Sequence, residues 1–381
     1  MSTHLCRRRG DEQTVPSGGD QFAAPPGGPE AGLHQHASDT GTETGFMGKI
    51  LKVLGGLVPW AVIGGLLFAA FFIQPQPVGE TVQPPPIERR DRFYGIEVLD
   101  EGRILWAVGS DGKVIRSEDG GDSWTVQRTP TRENLQDIAA WDTERAVLVG
   151  NEGVVLITSD AGETWESATA PRSEIFNKLI RVEALPDGEA WAVGAMNAVF
   201  RSRDFGVSWE RAVPEEDITW NGIAFVGERD IWVVGEFGIL LHSADGGESW
   251  EEREVGLESS LMSVEFRDGG KGVAVGLEGT VLVTDNGGAE WVRVETDFSE
   301  HLFDVTWDGG RWVAVGEDGI VVRSSEGDDR VWAADRLAPD LRSWHTTSVA
   351  NGDAVYVSGA TFGRLIEEQW YSFTGQAGER P

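Results

Sequence analysis

The chain has 381 residues, 50 of them Gly and 16 Trp, a pairing that suits many tight turns between short strands burying aromatic side chains. Lys and Arg number 32 against 63 Asp and Glu, a net charge of −31 that excludes a nucleic-acid partner, because gripping a phosphate backbone needs a basic footprint. The single cysteine, Cys6, excludes an internal disulfide framework and a thiolate zinc site, so the fold must be held by packing.

Residues 1–48 are rich in Gly, Pro, Ser, Thr and charge and bury too little apolar surface to offset the entropy of ordering, which predicts a disordered tail. Residues 49–73 read as one transmembrane helix: Val53 to Ile73 carries no charge, and at about 1.5 Å per residue it spans a hydrocarbon core of about 30 Å. The run is too long and too far from the N-terminus for the apolar region of a cleaved signal peptide. Lys49 and Lys52 flank its N-terminal side and no cation follows before Arg89, which predicts a cytoplasmic tail and an exported remainder. Arg7, Arg8 and Arg9 lie too far upstream for a twin-arginine signal, and Cys6 lacks the small-residue context of a lipoprotein site. Residues 74–90 open with QPQPVGETVQPPP, a Pro-rich stretch that predicts a stiff stalk of about 3.1 Å per residue.

From residue 91 to about 377 the sequence repeats. Seven short apolar strands end in a glycine of Val-Gly type, at Gly109, Gly150, Gly194, Gly235, Gly276, Gly316 and Gly359. Each is preceded by a first apolar strand and followed by a tight turn and a third strand. The third strand runs into the motif Ser/Thr-x-Asp-x-Gly-x-Ser/Thr-Trp, which leads to a fourth. Complete copies hold Ser117, Asp119, Gly121 and Trp124; Thr158, Asp160, Gly162 and Trp165; Ser202, Asp204, Gly206 and Trp209; and Ser243, Asp245, Gly247 and Trp250. A fifth has Thr284, Asn286, Gly288 and Trp291, a sixth puts Glu326 in the Asp place with one extra residue, and the seventh unit keeps only Trp370. Asp and Ser/Thr side chains satisfy backbone N–H groups in a tight hairpin, Gly accepts positive φ, and Trp packs the turn on the sheet.

These residues resemble the Asp-box, or BNR repeat, of β-propellers, and the whole layout resembles the photosystem II stability/assembly factor family. The resemblance implies an all-β, seven-bladed β-propeller of four-stranded blades with Asp-box hairpins, preceded by the disordered tail and one transmembrane helix. It further implies a non-catalytic scaffold, free of cofactor and catalytic residues, that binds membrane-protein subunits or a membrane complex. The expected location is the cell inner membrane, single-pass, with the propeller periplasmic, or in the thylakoid lumen of a photosynthetic cell. The strongly acidic surface, 27 Lys plus Arg against 57 Asp plus Glu after the helix, leaves a client other than a photosystem open. With the boxes on one face, the opposite face is expected to meet the partner, through Lys178, Trp220, Phe237, His301, Trp344 and His345.

The alternative is an Asp-box glycoside hydrolase of sialidase or xyloglucanase type. Only Tyr94, Tyr356 and Tyr371 could serve as a sialidase nucleophile, and each unit is too short for the insertions that build a sugar cleft. The six histidines show no metal-ligand spacing, and the VG-x-x-G elements join two strands where a phosphate loop must open a helix.

Overall fold

A computed structural model of the chain describes residues 47–72, 85–227 and 229–374. The sequence divides into two units, 1–81 and 82–381. In the first, Met47–Phe72 forms one α-helix with Pro59 inside it, and apolar side chains such as Leu57, Trp60, Ile63 and Phe68 stand exposed. Among the described residues no helix is long and apolar enough to cross a membrane. The expected tail and most of the expected stalk lie outside the described residues.

The second unit is a ring of seven sheets, each of four antiparallel strands in chain order from the axis outward. The inner strands are Phe93–Leu99, Leu135–Ala140, Leu179–Ala184, Trp220–Val226, Leu261–Phe266, Leu302–Trp307 and His345–Asn351, defining blades 1 to 7. The second strands are buried along nearly their whole length, as expected for the middle of a stacked blade. Blade 7 owns its outer strand, Gln369–Ser372, so the ring closes without a strand borrowed from the N-terminal side. Side chains join blade 7 to blade 1 instead. Thr346 and Thr347 hydroxyls donate to the Tyr94 carbonyl at 3.0 and 2.7 Å, and Phe362 packs against Phe93 and Trp124 at centroid distances of 4.6 and 5.3 Å.

Each inner strand slips register at its second residue, a β-bulge repeated in all seven blades. The Val-Gly glycines follow from it. In every blade the residue before the inner strand lays its carbonyl against that glycine, where an added Cβ would stand 1.8 Å from Arg92 O in blade 1 and 2.4 Å from Thr219 O in blade 4. The residue after the glycine donates its N–H to the same oxygen, as Ser110 does to Arg92 at 2.9 Å and Glu236 to Thr219 at 3.1 Å. The glycine is needed for close approach, since the φ of Gly109 is −171° and of Gly235 −158°, ordinary extended backbone.

The Asp-boxes hold as hairpins. In blade 3 the Ser202 hydroxyl donates to Asp204 Oδ1 at 2.9 Å and accepts from the Gly206 N–H at 3.0 Å, while the Ser208 N–H and hydroxyl both donate to Asp204. Asn286 keeps the first of these links and the N–H of Glu290, but Glu290 supplies no hydroxyl. The box also seals the boundary to the preceding blade: a Cβ on Gly247 would lie 2.2 Å from Trp191 and one on Gly288 2.3 Å from Trp232. Blade 6 departs from expectation, because its strands Ile320–Ser325 and Asp328–Arg336 join through a two-residue turn and exposed Glu326 takes no part in a box.

Candidate functional site

The two faces of the ring are distinguished by hydrogen bonds. Box turns meet the turns between first and second strands, as in Gly120 N–H to Arg103 O at 2.9 Å and Phe205 N–H to Gly188 O at 2.9 Å. Turns between second and third strands meet the blade-to-blade connections on the opposite face, where the Asp111 N–H donates to Asn134 at 3.2 Å and the Glu278 N–H to His301 Nδ1 at 3.0 Å. The inner strands begin on this second face, and the seven bulges turn their second residues to its axis.

Those residues, Tyr94, Gln136, Ile180, Asn221, Met262, Phe303 and Thr346, line an axial cup of about 230 Å³ together with Lys178, Arg181 and Thr347. Tyr94 stacks on Trp344 at 5.7 Å with the rings 4° from parallel. The floor is a charged bridge: Arg181 Nη2 reaches Asp304 at 2.9 Å, Nη1 donates to Thr347 at 3.4 Å, and Nε lies 3.9 Å from Asp137. One guanidinium thus ties blade 3 to blades 2, 6 and 7. Burial alone would lower its pKa, but the two aspartates outweigh burial and push it up. Asp137 and Asp304 also accept the backbone N–H of the following blade, from Val182 at 2.9 Å and Ser348 at 2.6 Å.

Below this waist a cavity of about 410 Å³ holds Glu97, Glu183 and Glu265. Burial pushes the pKa of Glu97 and Glu183 up to about 8 and, with Asp304 nearby, that of Glu265 to about 7. Asp137 rises to about 6 through burial, with Arg181 opposing. Among the described residues no group of three or more such side chains is arranged to hold a metal ion.

The expected partner residues separate into two sets. Phe237, Trp344, His301 and Lys178 are accessible on the axial face. Phe237 is 65% exposed at the tip of blade 4's turn, at φ 58°, a place taken by Asp111, Glu152, Glu278 and Asp318 in other blades. Trp220 and His345 require correction. Both are first residues of inner strands, a position whose side chain enters the blade, and both are 0% exposed. The Trp220 indole donates to Asn197 at 2.6 Å, and His345 bonds Thr361 at 3.0 Å with its pKa lowered by burial to about 4. Missed by the sequence were the bulge residues, Arg181 and the channel carboxylates. The available signal was a column of dissimilar residues, Tyr94 to Thr346, between repeated apolar ones. Ile175 and Phe176, on the connection between blades 2 and 3, add exposed apolar surface on the same face.

A closed ring of seven four-stranded blades, boxes on one face and an axial cup on the other, defines a seven-bladed Asp-box β-propeller. Within that class part of the chain resembles the photosystem II assembly factors: the family model described as photosynthesis system II assembly factor YCF48 matches residues 122–215 and 190–258. No curated protein sequence matches the chain. Among solved structures, YCF48 bound to D1 peptide superposes with TM-score 0.60 at 18% identity, covering 71% of this chain and 91% of that one. YCF48 from Cyanidioschyzon merolae gives TM-score 0.60 at 17% identity over 73% and 95% of the two chains. A catalytically inactive virginiamycin B lyase from Staphylococcus aureus with quinupristin gives 0.60 at 12% over 72% and 93%. At these identities the structures share the fold.

Proposed function

We propose that the chain is a membrane-anchored, non-catalytic propeller that holds a segment of a membrane-protein partner on its axial face. The observation that carries this reading is the repeated bulge, which presents seven dissimilar side chains at one cup beside exposed Phe237, Ile175 and Phe176. The family match adds a precedent, because a YCF48 propeller has been solved with a D1 peptide. A glycosidase needs two carboxyl groups facing one open substrate cleft. Here the channel glutamates line a separate cavity beneath the Arg181 bridge, away from the cup.

In this reading residues 49–73 anchor the protein in the inner membrane, with the N-terminus cytoplasmic and the propeller periplasmic, or lumenal in a photosynthetic cell. The uncharged run Val53 to Ile73 and the flanking Lys49 and Lys52 support it. The partner is a newly inserted membrane subunit, a photosystem component in a photosynthetic cell and another client elsewhere.

Copurification from detergent-solubilised membranes tests the proposal. The full chain is expected to bring down a membrane protein that the double variant Phe237→Ser, Trp344→Ala does not. Equal recovery with both, or recovery of none, overturns it. Removing residues 47–72 should release the propeller from membranes into the alkaline-wash supernatant, and continued sedimentation would contradict the anchor.

A further inference from the structure

We propose that the boundary between blades 6 and 7, on the Asp-box face, binds a free aromatic α-amino acid. Its ring lies beneath the Arg323 guanidinium, its carboxylate on Arg311 and its ammonium among Glu326, Asp353 and Glu367. The repeat itself points there. In each blade the second-strand residue three places before the Val-Gly glycine stands opposite one third-strand residue, and the two match in kind. A cationic type faces an aromatic ring in Trp106–Arg116, Trp191–Arg201, Trp232–His242 and Tyr356–Arg364. An aliphatic faces an aliphatic in Val147–Ile157 and Val273–Val283. Where the ring is tryptophan its partner lies over it: Arg116 at 4.9 Å and Arg201 at 5.1 Å from the centroid, and His242 stacked at 4.1 Å. Blade 6 breaks the match by setting Arg323 opposite Val313.

Arg323 is thus an arginine without its ring. Its guanidinium has no hydrogen bond or ion pair among the described residues, whereas Arg116 pairs with Glu118 and Arg201 with Glu189 at 2.9 Å. Burial, with Arg311 beside it, lowers its pKa. The element that seals other boundaries is missing at the same place. The third and fourth strands of blade 7 join through Glu367 and Glu368 alone, so no box glycine meets blade 6 as Gly247 meets Trp191 and Gly288 meets Trp232. The two losses leave a cavity of about 240 Å³ with Val313, Val355 and Leu365 as its apolar wall. Arg311 also lines it and gives only its Nε to Asp308, at 3.3 Å, which leaves its terminal nitrogens free for a carboxylate. A planar guanidinium drawn out of water gains by stacking on an aromatic face. A residue inside a polypeptide brings neither terminal charge, and an aromatic acid without an ammonium would face Glu326, Asp353 and Glu367 as a like charge. The free amino acid answers ring, cations and carboxylates together.

The test is isothermal titration calorimetry on the full chain in detergent. The probes are L-tryptophan; tryptophan amide, which lacks the carboxylate; N-acetyl-L-tryptophan, which lacks the ammonium; and L-leucine, which keeps both charges without a ring. L-Tryptophan is expected to bind saturably at one site per chain, at least tenfold tighter than each of the others, and to raise the melting temperature because it bridges two blades. Val313→Trp supplies the ring that blades 1, 3 and 4 carry, so it should abolish binding while melting no lower than the parent. Arg323→Gln should weaken binding at least tenfold, and its titration decides if Val313→Trp fails to fold. Absence of saturable L-tryptophan binding overturns the proposal. Equal binding of the amide, the N-acetyl compound or L-leucine overturns it as well, as does parental affinity in either folded variant.

Discussion

At the scale of single residues, the Asp-box and the inner strand put the same residue type to opposite uses. In the box, an exposed carboxylate accepts several hydrogen bonds, which hold its charge: the Ser249 hydroxyl, with further bonds, lowers Asp245 to about 2. In the channel, burial raises Glu97 and Glu183 to about 8. Asp204→Ala removes the acceptor for the Ser202 and Ser208 hydroxyls and the Ser208 N–H. By analogy with lost helix caps, it should cost about 1–2 kcal/mol, read as a lower urea midpoint at unchanged slope. Glu183→Gln should act the other way at alkaline pH. A carboxyl whose folded pKa is raised contributes stability that is complete below its ordinary value of 4.5 and is lost as pH rises through about 8. The variant should therefore melt higher than the parent at pH 8.5 and close to it at pH 5, and identical shifts at both pH values would contradict the assignment.

At the scale of the element, the box and the Val-Gly strand were legible because seven units repeat them, while the bulge was not. Alternation alone predicts that first and third residues of an inner strand share a face, and nothing in the repeat marks the extra residue that leaves Trp220 and His345 inside their blades. The bulge inserts one residue at position two, so the first stays inside the blade and the second, Tyr94 or Phe303, reaches the mouth. The third position spaces neighbouring blades. A Cβ on Gly95 would stand 2.7 Å from Asp137 Cα, and one on Gly222 3.0 Å from Ser263 Cα. Gly95→Ala should accordingly cost about 1–3 kcal/mol by overpacking, measured by denaturant melts.

At the scale of the whole molecule, closure rests on side chains where blades 7 and 1 meet. Phe362, 0% exposed between Phe93 and Trp124, replaces the pairing that a shared strand would give. Phe362→Ala should destabilise the ring by about 3–5 kcal/mol. Composition pointed to the acidity, but only the ring shows where charge matters: Arg181 bridges blades 2, 3, 6 and 7 around a waist, and an acid-free cup sits above it. The central claim is that a partner is held on that face and not on the Asp-box face. A photo-crosslinking amino acid placed in living cells at Phe237 or Trp344, and for comparison at exposed Asp122 or Glu163 in the boxes, tests it directly. Adducts to a membrane protein from the first pair alone are the predicted result, and adducts from the box positions alone, or equally from both faces, would contradict it.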